Sequence, residues 1–194
     1  MPDENLPPVD FDELLAAEFD YIAQTATQAN EDRARVSSFY LIAVGSLVAA
    51  LFGTQFFDTN FFTPTVSLMF SGLFVLLTLL GTSTIVQLAR LRAAWYESML
   101  AMNQLKDYMV SENQSLAKAF RWKTSTLPSK YKTNSVSYFQ AVEVALISGL
   151  MMGAATFFLQ QAFPPVGWLG WIISILVGVL TVSVQLIIYK RALR

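Results

Sequence analysis

Residues 144–189 contain no Asp, Glu, Lys or Arg. One helix crosses a bilayer with about 20 apolar residues, so this run is too long for a single crossing. Its middle reads Gln160-Gln161-Ala162-Phe163-Pro164-Pro165-Val166-Gly167. Paired prolines there remove backbone donors and clash with the preceding turn, which predicts two antiparallel spans. Upstream, residues 36–57 and 59–89 are also free of charge, with Asp58 between them. The chain therefore predicts four spans, at about 36–57, 64–88, 140–162 and 168–189. The expected fold class is all-α: an integral membrane four-helix bundle of two hairpins, with long cytosolic helical extensions.

Composition sharpens this. Apolar residues make up 54% of the 194-residue chain and charged residues 14%, and the charges avoid the four runs. A soluble core does not require that exclusion, whereas a bilayer does. Neither Cys nor His is present, which removes disulfides, thiolate chemistry, His acid–base catalysis and the usual zinc ligand sets. No metal site, cofactor or catalytic set is expected, and the chain reads as a non-enzyme. No charged residue lies deep in any span, which argues against coupled transport and voltage sensing.

The 13 Lys and Arg residues all fall on one side of a four-span topology. The positive-inside rule then places the N-terminus, the central segment and the C-terminus in the cytoplasm, in a cell (inner) membrane. In order, the chain reads as an acidic flexible tail (1–10), a cytosolic helix (11–35), a first hairpin (36–89), a cytosolic helix and basic loop (90–136), a second hairpin (137–189) and a basic tail (190–194).

Two apolar stripes run along the extensions. Leu15, Phe19, Ile22, Ala26 and Ala29 repeat at four- and three-residue spacing, as do Leu91, Trp95, Met99, Met102 and Leu105. Stripes on helices rooted in adjacent spans predict a zipped stalk; the alternative is two amphipathic helices lying on the membrane surface.

Small residues four apart mark three spans: Gly45, Ala49 and Gly53; Gly149 and Gly153; Gly170, Ser174 and Gly178. Such faces let helices approach closely in lipid, either within one bundle or between subunits. Gln185, inside the fourth span, is expected to bond a neighbouring helix, or to line a pore if the chain oligomerises. Arg33 and Arg35 are placed to snorkel toward lipid head groups. Lys118, Arg121, Lys123, Lys130 and Lys132 gather around Trp122. They could pair with the acidic start, contact anionic lipid, or take a phosphate-bearing ligand; nucleic acid is disfavoured, and no glycine-rich phosphate loop is present.

The long first helix, the Glu31-Asp32-Arg33-Ala34-Arg35 approach to Ser37-Ser38-Phe39-Tyr40, and the hairpin returning to the cytosol together resemble the SLATT class of bacterial membrane proteins and the related octameric proteins named after RipA. The resemblance covers residues 18–108, and the second hairpin departs from the two-span plan. It implies a membrane-disrupting effector in nucleotide-signalled defence. The expected function is thus a homo-oligomeric membrane effector or pore-forming assembly regulated through its cytosolic helices. The alternative is a membrane scaffold or accessory subunit that docks a cytosolic partner protein through the stalk. Expected partners are the lipid bilayer, further copies of the chain, and a cytosolic protein or anionic ligand.

Overall fold

The computed structural model describes residues 10–53, 63–163 and 167–194, the side chains of residues 52 and 53 excepted. The turn at 58–62 and the Pro164-Pro165 pair, on which the hairpin predictions turn, lie outside the described residues. So does nearly all of the expected flexible tail.

Among the described residues the long elements are four α-helices and there is no strand. They are α1 (Phe11–Gly53), α2 (Pro64–Glu112), α3 (Val136–Gln161) and α4 (Trp168–Ala192). Each is long and apolar enough to cross a membrane. At 1.5 Å per residue, α2 extends about 73 Å, more than twice the ~30 Å of a hydrocarbon core. The first two helices therefore overhang any bilayer, whereas α3 and α4, of 26 and 25 residues, match one.

Local chemistry explains where the helices start and stop. Asp10 Oδ1 accepts from Asp12 N at 3.0 Å, with Asp12 and Glu13 in the first turn of α1. There the acidic side chains oppose the positive end of the helix dipole. Thr63 caps α2 through Val66 N at 3.3 Å, and Pro64 takes the first helical position, where a missing N–H costs nothing. The Asn113 backbone N–H closes α2 on Met109 O. Ser135 Oγ caps α3 through Tyr138 N at 3.2 Å, and α4 ends with Lys190 and Arg191 in its last turn.

The helices do not close into a square. α2, α3 and α4 form a triangular cluster, while α1 lies along α2, touches α3 slightly and, among the described residues, has no close backbone packing against α4. Of the most apolar window of each helix, 39% is buried in α2 but only 17% in α1 and in α4. The core comprises Tyr40, Val44, Phe74, Leu77, Ile85, Leu88, Ala89, Ala141, Val144, Ala145, Met151, Ala155, Tyr189 and Leu193.

One row of α2 runs through it. Ser67, Ser71, Phe74, Thr78, Gly81, Ile85, Leu88 and Arg92 alternate at spacings of four and three, and every one is buried. That 3.5-residue period keeps one face against its neighbours, as in left-handed helix packing.

In the overhang α1 and α2 run antiparallel. Phe11 meets Tyr108 edge-on at 6.2 Å, and Lys106 Nζ stands 5.6 Å from the Phe19 ring centroid. Ile22, Ala26 and Ala29 are buried there, and Leu15, Phe19, Leu91, Trp95, Met99, Met102 and Leu105 are half-buried. After α2 the chain folds back along it, through two short 3₁₀ turns at Gln114–Lys118 and Thr124–Thr126. Asn103 Nδ2 donates to Lys123 O at 3.4 Å, and Arg92 Nε donates to Lys130 O at 3.2 Å.

Candidate functional site

The most unusual feature of an otherwise apolar interior is a seam of polar groups along the buried row of α2. Its centre is where α2, α3 and α4 meet. Gln185 Nε2 donates to Ser148 Oγ at 2.7 Å and to Thr82 Oγ1 at 2.9 Å. Both hydroxyls pass their own hydrogens to one carbonyl, Thr78 O, at 3.3 and 2.9 Å. Gly81 makes this convergence possible: a methyl group there would stand 2.6 Å from Ser148 Oγ and 2.8 Å from Tyr40 Oη. α1 thus reaches the node through Tyr40, which is 1% exposed. Tyr40 Oη lies beside Ser148 without meeting hydrogen-bond geometry, and Gln185 Oε1 is buried without a donor. Each such group left unpaired costs about 1–3 kcal/mol. No carboxylate or cation is among these groups, and the node is held by hydrogen bonds between neutral side chains and a carbonyl.

Beyond the node toward the start of α2, Ser71 Oγ donates to Ala155 O at 2.9 Å. Toward the overhang the seam becomes charged. Ser137 Oγ and Tyr189 Oη lie 2.8 Å apart, both about fully buried. Past them stand Arg33 on α1 and Arg92 on α2, 9% and 6% exposed. Burial holds the Arg33 guanidinium below its ordinary value, and the neighbouring Arg92 adds to this; Arg92 is lowered by burial as well. The Arg92 guanidinium lies 4.3 Å over the Trp95 ring. Tyr131 and Tyr138, centroids 6.0 Å apart, close the loop side, with Lys190 Nζ 5.6 Å from Tyr131.

The small-residue faces divide sharply. Gly149 and Gly153 pack on Gly178 and Ser174: a methyl on Gly149 would meet Gly178 O at 2.7 Å as well as Val182 Cγ2, and one on Gly153 would meet Ser174 O at 3.1 Å. Gly170 is buried in the same contact, where Gln160 Nε2 donates to Gly170 O at 3.3 Å and to Ser174 Oγ at 3.2 Å. Gly45 and Ala49 instead face outward, with nothing within 4 Å of a Cβ at Gly45; Gly53 ends α1.

The basic residues also fail to act as one group. Lys118, Arg121, Lys123 and Lys132 are exposed along the returning loop, and Trp122 is 64% exposed. Lys130 pairs with Glu97 of α2 at 3.4 Å. Among the described residues none of the five lies in a salt bridge with Asp10, Asp12, Glu13, Glu18 or Asp20, nor do three His, Cys, Asp or Glu side chains come together. Arg35 points away from its near neighbour Arg33, exposed and engaged by Glu31 at 3.5 Å and Asp32 at 3.4 Å.

Sequence reasoning took Tyr40 only as part of the entry to the first span, where the structure buries it, and passed over Thr78, Gly81, Ser148, Tyr189 and a buried Arg92. The available signal was the four–three spacing of small and polar residues in α2, Ser67-Ser71-Thr78-Gly81, inside an otherwise apolar run. Comparison of the chain with protein-family models, curated proteins and solved structures gives no match.

Proposed function

We propose that this chain is a non-enzymatic membrane effector that assembles with copies of itself through α1, with any conduit formed between subunits. The observation that carries this reading is the unequal use of the small-residue faces. Those of α3 and α4 are consumed inside the protomer, whereas Gly45 and Ala49 are left bare on α1 beside exposed Phe39 and Ile42. Helix association in lipid relies on such close-packing surfaces. The interior supports no path of its own, because the polar seam is filled by side chains that bond one another. Hollows lie on the outside: an open groove of about 330 Å³ flanks Tyr40 between α1 and α2, lined by Phe39, Ala43, Leu80 and Thr84 among others.

Regulation through the overhang fits the same geometry. α1 and α2 continue without a break from the apolar zone into the overhang, so a displacement at Phe11 or Tyr108 is carried along two rigid rods toward Tyr40 and Gly81. This reading keeps the SLATT-type resemblance of the first hairpin, and cytoplasmic termini, as part of the proposal.

A second reading, a scaffold or accessory subunit, is favoured by exposed Phe11, Leu14 and Tyr21 on the overhang of α1, apolar side chains suited to a docking partner. Native mass in lipid nanodiscs separates the two. A closed ring of four or more chains that Ala49→Leu disperses, with each chain still folded, supports the effector reading. A monomer removes it and leaves the scaffold.

A further inference from the structure

We propose that Arg33 and Arg92 together form a binding site for a phosphate-type anion at the charged margin of the apolar zone. The inference stands independently of the assembly proposed above. Arg33 and Arg92 are both largely withdrawn from water and near enough for the charge of Arg92 to act on Arg33, and a guanidinium does not shed its charge in a protein. Burying like charges is costly, and the usual compensation is a carboxylate beside them. Among the described residues none serves: Glu31 and Asp32 lie with exposed Arg35, and Glu97 lies with Lys130.

The hydrogen bonding is equally incomplete. A guanidinium forks several N–H donors, yet among the described residues only one on each side chain meets a protein acceptor. Arg33 Nη2 donates to Asn30 Oδ1 at 2.9 Å, and Arg92 Nε donates to Lys130 O at 3.2 Å. Arg33 Nε is fully buried with no acceptor at all. Arg33 Nε therefore calls for an acceptor, and one carrying several oxygens and negative charge, as phosphate does, would also engage the other N–H groups of the two Arg forks. Tyr189 Oη and Ser137 Oγ, bonded to each other, and the Trp95 ring beneath Arg92 keep the place partly dry, where a charge-assisted bond is stronger than in water.

Arg33 precedes the charge-free run 36–57 and Arg92 follows the run 59–89, so a head-group phosphodiester and a free phosphate are both candidate sources of the required chemistry. Native mass spectrometry of the full chain, delipidated in neutral detergent, would titrate phosphatidylglycerol against phosphatidylcholine. A parallel thermal-shift titration would use inorganic phosphate against chloride at equal ionic strength. A preference of about tenfold for phosphatidylglycerol, unaffected by phosphate, supports the site with lipid as the source. Saturable stabilisation by phosphate and not by chloride supports it with a soluble source. In either case Arg33→Gln and Arg92→Gln each lower binding about tenfold, while Arg90→Gln, exposed two residues from Arg92, leaves it unchanged. No response of the wild-type chain in either titration overturns the proposal, as does an equal loss in Arg90→Gln. The wild-type titrations decide the matter alone should the buried variants fail to fold.

Discussion

Gly45 and Ala49 on α1 have the same four-residue spacing as Gly149 and Gly153 on α3, yet the two faces lie in opposite surroundings. On α3 the backbones of two helices nearly touch, with Gly178 O 2.7 Å from where a Gly149 methyl would be and Gly149 O 2.8 Å from one on Gly178. On α1 the corresponding space is empty. The spacing states only that a helix can be approached closely; it does not name the approaching helix. That is decided by which helices already surround α2. α3 and α4 join it in a triangle, and α1 lies outside with its far side uncovered.

This difference is most directly broken by bulk. In Gly149→Leu the new side chain is driven into the Gly178 backbone, which has nowhere to move. Overpacking of this kind costs about 3 kcal/mol or more, so thermal unfolding in detergent should show a large loss of stability. A wild-type midpoint would mean that α3 and α4 are not in close contact. Ala49→Leu is the counterpart on α1: a comparable gain in bulk should leave the protomer stable and act on subunit mass alone.

A smaller effect is expected in the node that ties the triangle to α1. Gln185→Leu removes donors to Ser148 and Thr82, but both hydroxyls keep their bonds to Thr78 O. It also removes the unpaired Oε1. Interhelical polar contacts in membranes contribute about 1 kcal/mol or less, so the variant should shift stability by no more than that. A loss several times larger, read by chemical denaturation in micelles, would show that the node organises the helices and does not merely bridge them.

The smallest change is expected at Gly72, on an outward face of α2 with nothing within 4 Å of a Cβ. Gly72→Ala should be neutral or stabilise by about 0.5–1 kcal/mol, through the lower entropy of the unfolded chain. Measured destabilisation would mean that this face of α2 is covered in the assembly.

How much of this could be read beforehand depends on whether a property is local. Charge exclusion is local, because lipid or a dry interior rejects each charged residue on its own; the four long apolar helices followed from it. Capping is local too: Thr63-Pro64 and Ser135 start α2 and α3 through atoms within three residues. The stripes of Ile22 with Ala26, and of Trp95 with Met99, reflect a helical period that a single chain segment carries by itself.

What could not be read was facing. Arg33 and Arg35 stand two residues apart and look alike in sequence, but two residues turn a helix by roughly 200°. One therefore enters the contact with α2, while the other stays in solvent with Glu31 and Asp32. Ser137 and Tyr189, 52 residues apart, bond only because α3 and α4 bring them to one height. Gly81 reads as an ordinary glycine until Ser148 and Tyr40 arrive over it from two other helices. The sequence alone determined that this chain makes long apolar helices and where its charges must lie, since solvation acts residue by residue. Only the tertiary structure decided which small faces were used, which arginine was buried and which glutamine became a junction, because those depend on the rotation and neighbours of whole helices.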